Sequence, residues 1–247
     1  MDCRCFCLLT ASPAGNSFGA MMKCIVLLVF LAGSAMSSLA QGGDGDLAPL
    51  PLVLPPPAVK GTPANLPTNT TAEPLNDKPR PVFMAPKGVV NVAAGKPVTA
   101  SDNRLITGDL SQITDGKKQA YEDNVVTLRR GAQWVQTDFQ AEYKIYAVAI
   151  WHDFSAPVVV RGVIVQLSDD PDFKTGVTTI FNNDQANKDG HGIGTDREYF
   201  ENSLTGAGKL IDSKGIKARY LRCYSHGSTD NALNTYIEVE AYGLPAS

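Results

Sequence analysis

Eleven of the sixteen prolines lie between residues 49 and 86, at Pro49, Pro51, Pro55, Pro56, Pro57, Pro63, Pro67, Pro74, Pro79, Pro81 and Pro86. Each removes an amide donor and fixes φ, so neither a helix nor a central strand runs through such a stretch. The chain's 247 residues therefore cannot all share one regular core. Residues 41–87 read as a disordered, proline-rich linker, an extended spacer of ~3.1 Å per residue where prolines cluster. Within it, Asn69-Thr70-Thr71 is an N-glycosylation triplet, which matters only in a host that glycosylates.

Residues 1–40 read as a leader. Met22-Lys23 precedes an apolar run at residues 24–32, and Ser38-Leu39-Ala40 offers a small-x-small site; together these are the three parts of a secretory signal peptide. The run is shorter than the ~20 residues that cross a bilayer, so cleavage after Ala40 is expected rather than a retained anchor. Residues 1–20 fit no part of the signal, and the true start is expected at Met21 or Met22. The expected location is secreted, periplasmic or cell envelope. Cys3, Cys5, Cys7 and Cys24 fall in the leader, leaving only Cys223 in the mature domain. One thiol forms no internal disulfide, so the fold must stand on its apolar core. A net charge of -3, from 22 basic and 25 acidic residues, supplies no basic face for nucleic acid and no polybasic membrane anchor.

Residues 88–247 change character, with short β-type runs broken by Gly, Asp, Asn and Pro. Strands are predicted at residues 133–139, 144–151, 158–167, 177–181, 218–224 and 235–242. No sustained apolar stripe of period 3.6 occurs. The pattern predicts an all-β, antiparallel sandwich. Period-2 alternation places Leu221 and Cys223 on one inward face, where Cys223 acts as a small buried hydrophobe rather than a nucleophile.

Catalytic motifs are absent from the sequence: there is no His-Glu-x-x-His and no Gly-x-Ser-x-Gly. Gly206-Ala207-Gly208-Lys209-Leu210 has Ser203 where a phosphate loop needs its first glycine and Leu210 where it needs Ser or Thr. Gly190-His191-Gly192-Ile193-Gly194 lacks the strand-turn-helix setting of a dinucleotide site. Carboxylates are numerous enough that counting alone does not exclude a glycosidase pair.

Five phrases follow one another in order: Asn91-Val92-Ala93-Ala94-Gly95-Lys96-Pro97-Val98, Ile113-Thr114-Asp115-Gly116, Gln133-Trp134-Val135-Gln136-Thr137-Asp138-Phe139, Lys217-Ala218-Arg219-Tyr220-Leu221-Arg222 and Ile237-Glu238-Val239-Glu240-Ala241-Tyr242-Gly243. Together they resemble the discoidin or coagulation-factor type C (F5/8 type C) domain of the galactose-binding-like superfamily, whose bacterial relatives include family 32 carbohydrate-binding modules. The resemblance spans residues 91–243. It implies an eight-stranded jelly-roll β-sandwich with binding loops at one end, and it leaves the ligand open.

The resemblance further implies a structural calcium ion (Ca2+) held by the carboxylates of Asp115 and Glu238 and by carbonyls near Gln112, Lys117 and Ile237. Ala120 is a further possibility, although related sites often carry a hydroxyl there. A hard cation needs six to eight oxygens, and a tight Asp-Gly turn aims several carbonyls at one point. Gln185, Asn187, Asp189, Gly190 and Asp196 echo the spacing of an EF-hand loop, but the first ligand is wrong and a solvated turn is the simpler reading. For a sugar, an aromatic face and planar donors and acceptors are needed. His152, Asp153 and Phe154 just past a strand end, Arg161, Arg222, His226, Asn231, Asn234 and Tyr236 are the candidate ligand-binding residues. Each is also what an ordinary loop or cap would carry. The expected function is a secreted, non-catalytic module that binds carbohydrate on extracellular or envelope glycans. The alternatives are an adhesive, structural module with a protein partner, and a small secreted hydrolase.

Overall fold

The computed structural model describes residues 46–61 and 63–246. The leader and its signal lie outside the described residues. Among the described residues, no helix is long and apolar enough to cross a membrane.

The described residues form eleven strands and two short 3₁₀ turns. The strands are β1 (Leu47–Pro49), β2 (Met84–Pro86), β3 (Val90–Asn91), β4 (Val98–Ala100), β5 (Val126–Leu128), β6 (Gln133–Trp151), β7 (Ile164–Ser168), β8 (Thr178–Asn182), β9 (Lys209–Ser225), β10 (Asn234–Tyr236) and β11 (Glu238–Pro245). All named pairings are antiparallel. Two long strands organise the whole. The first half of β6 pairs with β4 and with the second half of β9, which continues to β7 and β8. The second half of β6 pairs with β11 and with the first half of β9, and β11 carries β3. The β6–β9 register breaks between Asp138 and Tyr143 and again between Ile145 and Ala147, and Gln140 takes a left-handed φ of 67°. Such irregularities bend a strand. Both halves of β6 consequently face one core, to which Val135, Phe139, Ile145, Val148 and Ile150 all contribute. The result is an antiparallel β-sandwich, as the sequence pattern predicts.

The predicted strand at residues 158–167 shortens to β7. Gly162 adopts φ 58°, and residues before it form only isolated bridges, Val159 to Phe200 and Val160 to Ser228. Leu221 and Cys223 are buried side by side in the core, and burial pushes the Cys223 thiol well above its ordinary pKa.

The N-terminal segment corrects the linker expectation. Parts of residues 46–61 and 63–87 contact the sandwich. β1 and β2 pair with each other. Leu50, Leu52, Phe83, Ala85 and Val89 cover Ala147, Tyr146 and Tyr242 on the outer face of the β11–β6 layer. Leu52 also packs on a second cluster of Ala149, Trp151, Phe154 and Ile237. The indole of Trp151 donates to the Gly206 carbonyl at 2.8 Å, and a Cβ on Gly206 would meet the Pro55 carbonyl at 2.5 Å, so this turn must be glycine to fit under the segment. The Lys118 ammonium is buried beneath the same cover, donating to Glu240 Oε1 at 2.8 Å and to the Val53 carbonyl at 2.5 Å. The prolines did forbid regular structure; the apolar residues set between them still had a face to bury.

Candidate functional site

An open cleft of about 570 Å³ lies where Arg161 and Gly162, the loop after β8, the residue after β9 and residues 68–71 meet. Its walls include Arg161, Asn183, Asp184, Gln185, Lys188, Asp189, Glu198 and His226, and its lining holds no Phe, Tyr or Trp. Arg161 and His226 are 65 positions apart, but backbone pairing joins them: the His226 amide donates to the Arg161 carbonyl at 2.8 Å, and the Arg161 amide to the Gly227 carbonyl at 2.9 Å. Gly162 makes that approach feasible, because a Cβ there would stand 3.0 Å from both His226 Cβ and Asp189 Oδ2.

The polar groups of the cleft hold one another in place. His226 Nδ1 is 2.7 Å from Asp189 Oδ1. The Asp189 amide donates to Asp184 Oδ2 at 3.0 Å, and the Asp184 amide donates to Asn182 Oδ1 at 2.8 Å. Asn183 Oδ1 accepts from the Val163 amide at 2.7 Å, while its Nδ2 is buried without an acceptor. Arg161 Nη1 donates to Glu198 Oε1 at 2.6 Å. Burial works against the Glu198 carboxylate, but the Thr70 hydroxyl, the Thr71 amide and Arg161 outweigh it and hold its pKa below the ordinary glutamate value. Side chains fixed in this way present planar donors and acceptors at little further entropic cost to a ligand. No hydroxyl or thiol among the described residues is hydrogen-bonded to the His226 ring, whose one partner there is Asp189.

Other predicted ligand residues are placed elsewhere. Phe154 is a core residue, packed with Trp151 and Ile237. His152 is fully buried, 2.7 Å from Glu201 Oε1 and tilted on the Tyr236 ring at 4.8 Å. The Tyr236 hydroxyl donates within the interior, where the Cys223 carbonyl and Ser225 Oγ both lie at 3.1 Å. Asn234 is buried too, its amide bridging Arg129, Gly131, Ser225 and Gly227. His152 and Phe154 follow the end of β6 and Asn234 and Tyr236 bound β10, but all four side chains are buried, so they support the fold rather than line an open surface and are withdrawn from the ligand set. Asp153 and Asn231 line a separate hollow of about 110 Å³. Arg222 lies over the rings of Trp134 and Phe173 at 4.3 and 4.2 Å and bonds Gln136 at 2.8 Å. It stands apart from Arg161, outside the cleft lining.

No family model matches the chain, and no curated protein matches it. Among solved structures, it is similar to chitosan-binding module 1 of a chitosanase/glucanase from Paenibacillus sp. IK-5, at 18% identity over 62% of this chain and 99% of that one, with a TM-score of 0.45. It is also similar to a fucose-binding module of Streptococcus pneumoniae (20% identity, 64% and 98% covered, TM-score 0.43). A third is the family 32 carbohydrate-binding module of AlyQ, in complex with 4,5-unsaturated mannuronic acid (20% identity, 59% and 92% covered, TM-score 0.42).

The expected cation residues gather at the start of β11. Glu238 is fully buried. Its Oε2 accepts from the Gly116 amide at 3.0 Å, and its Oε1 is buried with no partner. Burial first, with Glu240 and Asp115 adding to it, pushes the Glu238 pKa up to about 9. Asp115 accepts from the Lys117 amide at 2.8 Å and pairs with the Lys117 ammonium at 3.1 Å. The Gln112 carbonyl accepts from the Asp115 amide. Ala120 and Ile237 pack in the Trp151 cluster. Among the described residues, no group of three or more His, Cys, Asp or Glu is arranged to hold a metal. A partnerless buried carboxylate oxygen close to a second carboxylate nonetheless fits a hard cation whose remaining ligands are turn carbonyls.

Sequence reasoning missed Asn183, Asp184, Gln185, Lys188 and Glu198 as cleft residues. It did single out the loop holding Asp189 and Gln185, as a turn with EF-hand spacing. That density of Asn and Asp was a real signal, since such residues fix loops by bonding their own backbone.

Proposed function

We propose that this protein is a secreted, non-catalytic module that binds carbohydrate through the Arg161–His226 cleft. One observation carries the reading. A guanidinium, an imidazole, amides and carboxylates converge on a single open cleft and are already locked by hydrogen bonds to one another. Sugar hydroxyls both donate and accept, and planar groups of this kind satisfy both roles. The resemblance to discoidin-type domains and the likeness to known glycan-binding modules agree with it. The lack of a large aromatic ring in the lining points to recognition by hydroxyl contacts rather than by stacking.

A glycan array tests the reading. Wild-type protein is expected to retain one class of glycan, and Arg161→Ala and His226→Ala are expected to lower retention at least tenfold while leaving the melting temperature within a few degrees. A blank array with folded protein contradicts it.

A structural calcium ion belongs to the same proposal. Asp115, Glu238 and the carbonyls of Gln112, Lys117 and Ile237 would hold it, and bound there it would supply the positive counter-charge and the partner that Glu238 Oε1 lacks. Calcium at a hundredfold excess over Kd is expected to raise Tm by about 5–10 °C, and Glu238→Gln to abolish the rise. A Tm unmoved by calcium or by chelator counts against the ion.

A further inference from the structure

The Arg161–Glu198 pair is already engaged. Arg161 Nη2 donates to the Asn69 carbonyl at 3.1 Å. The Thr70 hydroxyl donates to Glu198 Oε2 at 2.6 Å, and the Thr71 amide donates to the same oxygen at 2.8 Å. The Glu198 amide returns a bond to Thr71 Oγ1 at 3.3 Å. An acceptor laid on the guanidinium, next to a hydroxyl laid on the carboxylate, is the pattern that two neighbouring sugar hydroxyls would make with the same two side chains.

The hold on residues 69–71 is polar. None of residues 68–76 belongs to any of the apolar clusters that pin residues 50–52 and 83–89. Further along, Asn202 Nδ2 reaches the Asn76 carbonyl at 3.2 Å, and Glu73 faces Arg197 at 3.6 Å on the exposed surface. Such bonds exchange readily for bonds to water or to a ligand, since each contributes little net stability.

We propose that residues 69–71 are an intramolecular occupant of the ligand cleft, standing in for the vicinal diol of a neutral sugar, and that a glycan displaces them to reach Arg161 and Glu198. The inference rests on the carbohydrate reading and adds two things to it. Glu198 becomes a ligand-contacting residue, and the chain's own strap sets the apparent affinity. A competitor that occupies the cleft most of the time weakens binding by the fraction of time the cleft is open.

The test compares the full chain with Thr70→Val on an array of neutral oligosaccharides. Hydrogen exchange at the Thr71 amide is then followed with and without the oligosaccharide that binds most strongly. Thr70→Val removes the hydroxyl bond to Glu198 and keeps the side-chain volume. Affinity is expected to rise roughly threefold to tenfold, the net contribution of one ordinary hydrogen bond. In the wild type, Thr71 exchange is expected to accelerate when the sugar binds. Equal affinities with Thr71 protection unchanged or increased would make residues 69–71 a fixed wall, overturning the displacement while leaving the carbohydrate reading intact. Silence from both proteins on the array overturns both.

Discussion

Two parts of the proline-rich segment are held in different ways. Residues 47–53 and 83–89 are fastened by apolar side chains and a strand pair, with Leu50 and Ala85 buried. Residues 68–76, no richer in proline, belong to none of the apolar clusters and are held by hydrogen bonds and a surface ion pair. Proline forbids regular structure in both. Whether the chain then docks or merely rests is decided by the apolar side chains between the prolines, because burial of apolar area is the larger driving term.

The sharpest break of that contrast is at Trp151, which the anchored stretch helps to cover through Leu52. Trp151→Ala is expected to cost about 3–5 kcal/mol, measured by denaturant unfolding, and to expose residues 47–53 to limited proteolysis. Next comes Leu50→Ala, expected to cost about 2–3 kcal/mol and to free the same residues while the sandwich stays folded. If Leu50→Ala leaves both stability and proteolysis unchanged, the anchored stretch is no better fixed than the strap.

A third prediction lies outside both stretches. Asp102 is buried at the start of a loop and accepts from the Arg129 Nε at 2.8 Å and the Arg129 amide at 2.7 Å. The Arg129 side-chain bond dominates and lowers its pKa from 3.8 to about 2. A carboxylate depressed in the folded state contributes stability that is present above its ordinary pKa and lost as pH falls through the folded one. Stability should therefore decline between about pH 4 and pH 2, and Asp102→Asn should remove that part of the decline. Equal acid sensitivity in the variant would assign it elsewhere. The smallest effect belongs to the strap, where Thr70→Val should change stability by no more than about 1.5 kcal/mol. A larger loss would mean that the strap is structural after all.

The sandwich itself was legible, because alternation in residues 133–139 and 218–224 reports a half-buried strand directly. The packed N-terminal segment also left a trace. Residues 145–151 are apolar on nearly every position, which means both faces are covered, and a plain two-layer sandwich supplies only one cover. Taking proline count as the deciding feature hid that. The candidate site was half legible. Arg161 and His226 were named, but their meeting depends on backbone pairing between segments 65 residues apart, which local spacing does not encode. Phe154 and Tyr236 were misplaced because an aromatic residue at a strand end reads alike whether it turns toward the core or toward solvent.

Carbohydrate recognition at the Arg161–His226 cleft is tested most directly by NMR chemical-shift mapping with the glycan that binds on the array. The perturbed resonances should cluster at Arg161, Gln185, Asp189, Glu198 and His226. Perturbations centred instead on Trp134, Phe173 and Arg222, or scattered without a focus, would contradict it.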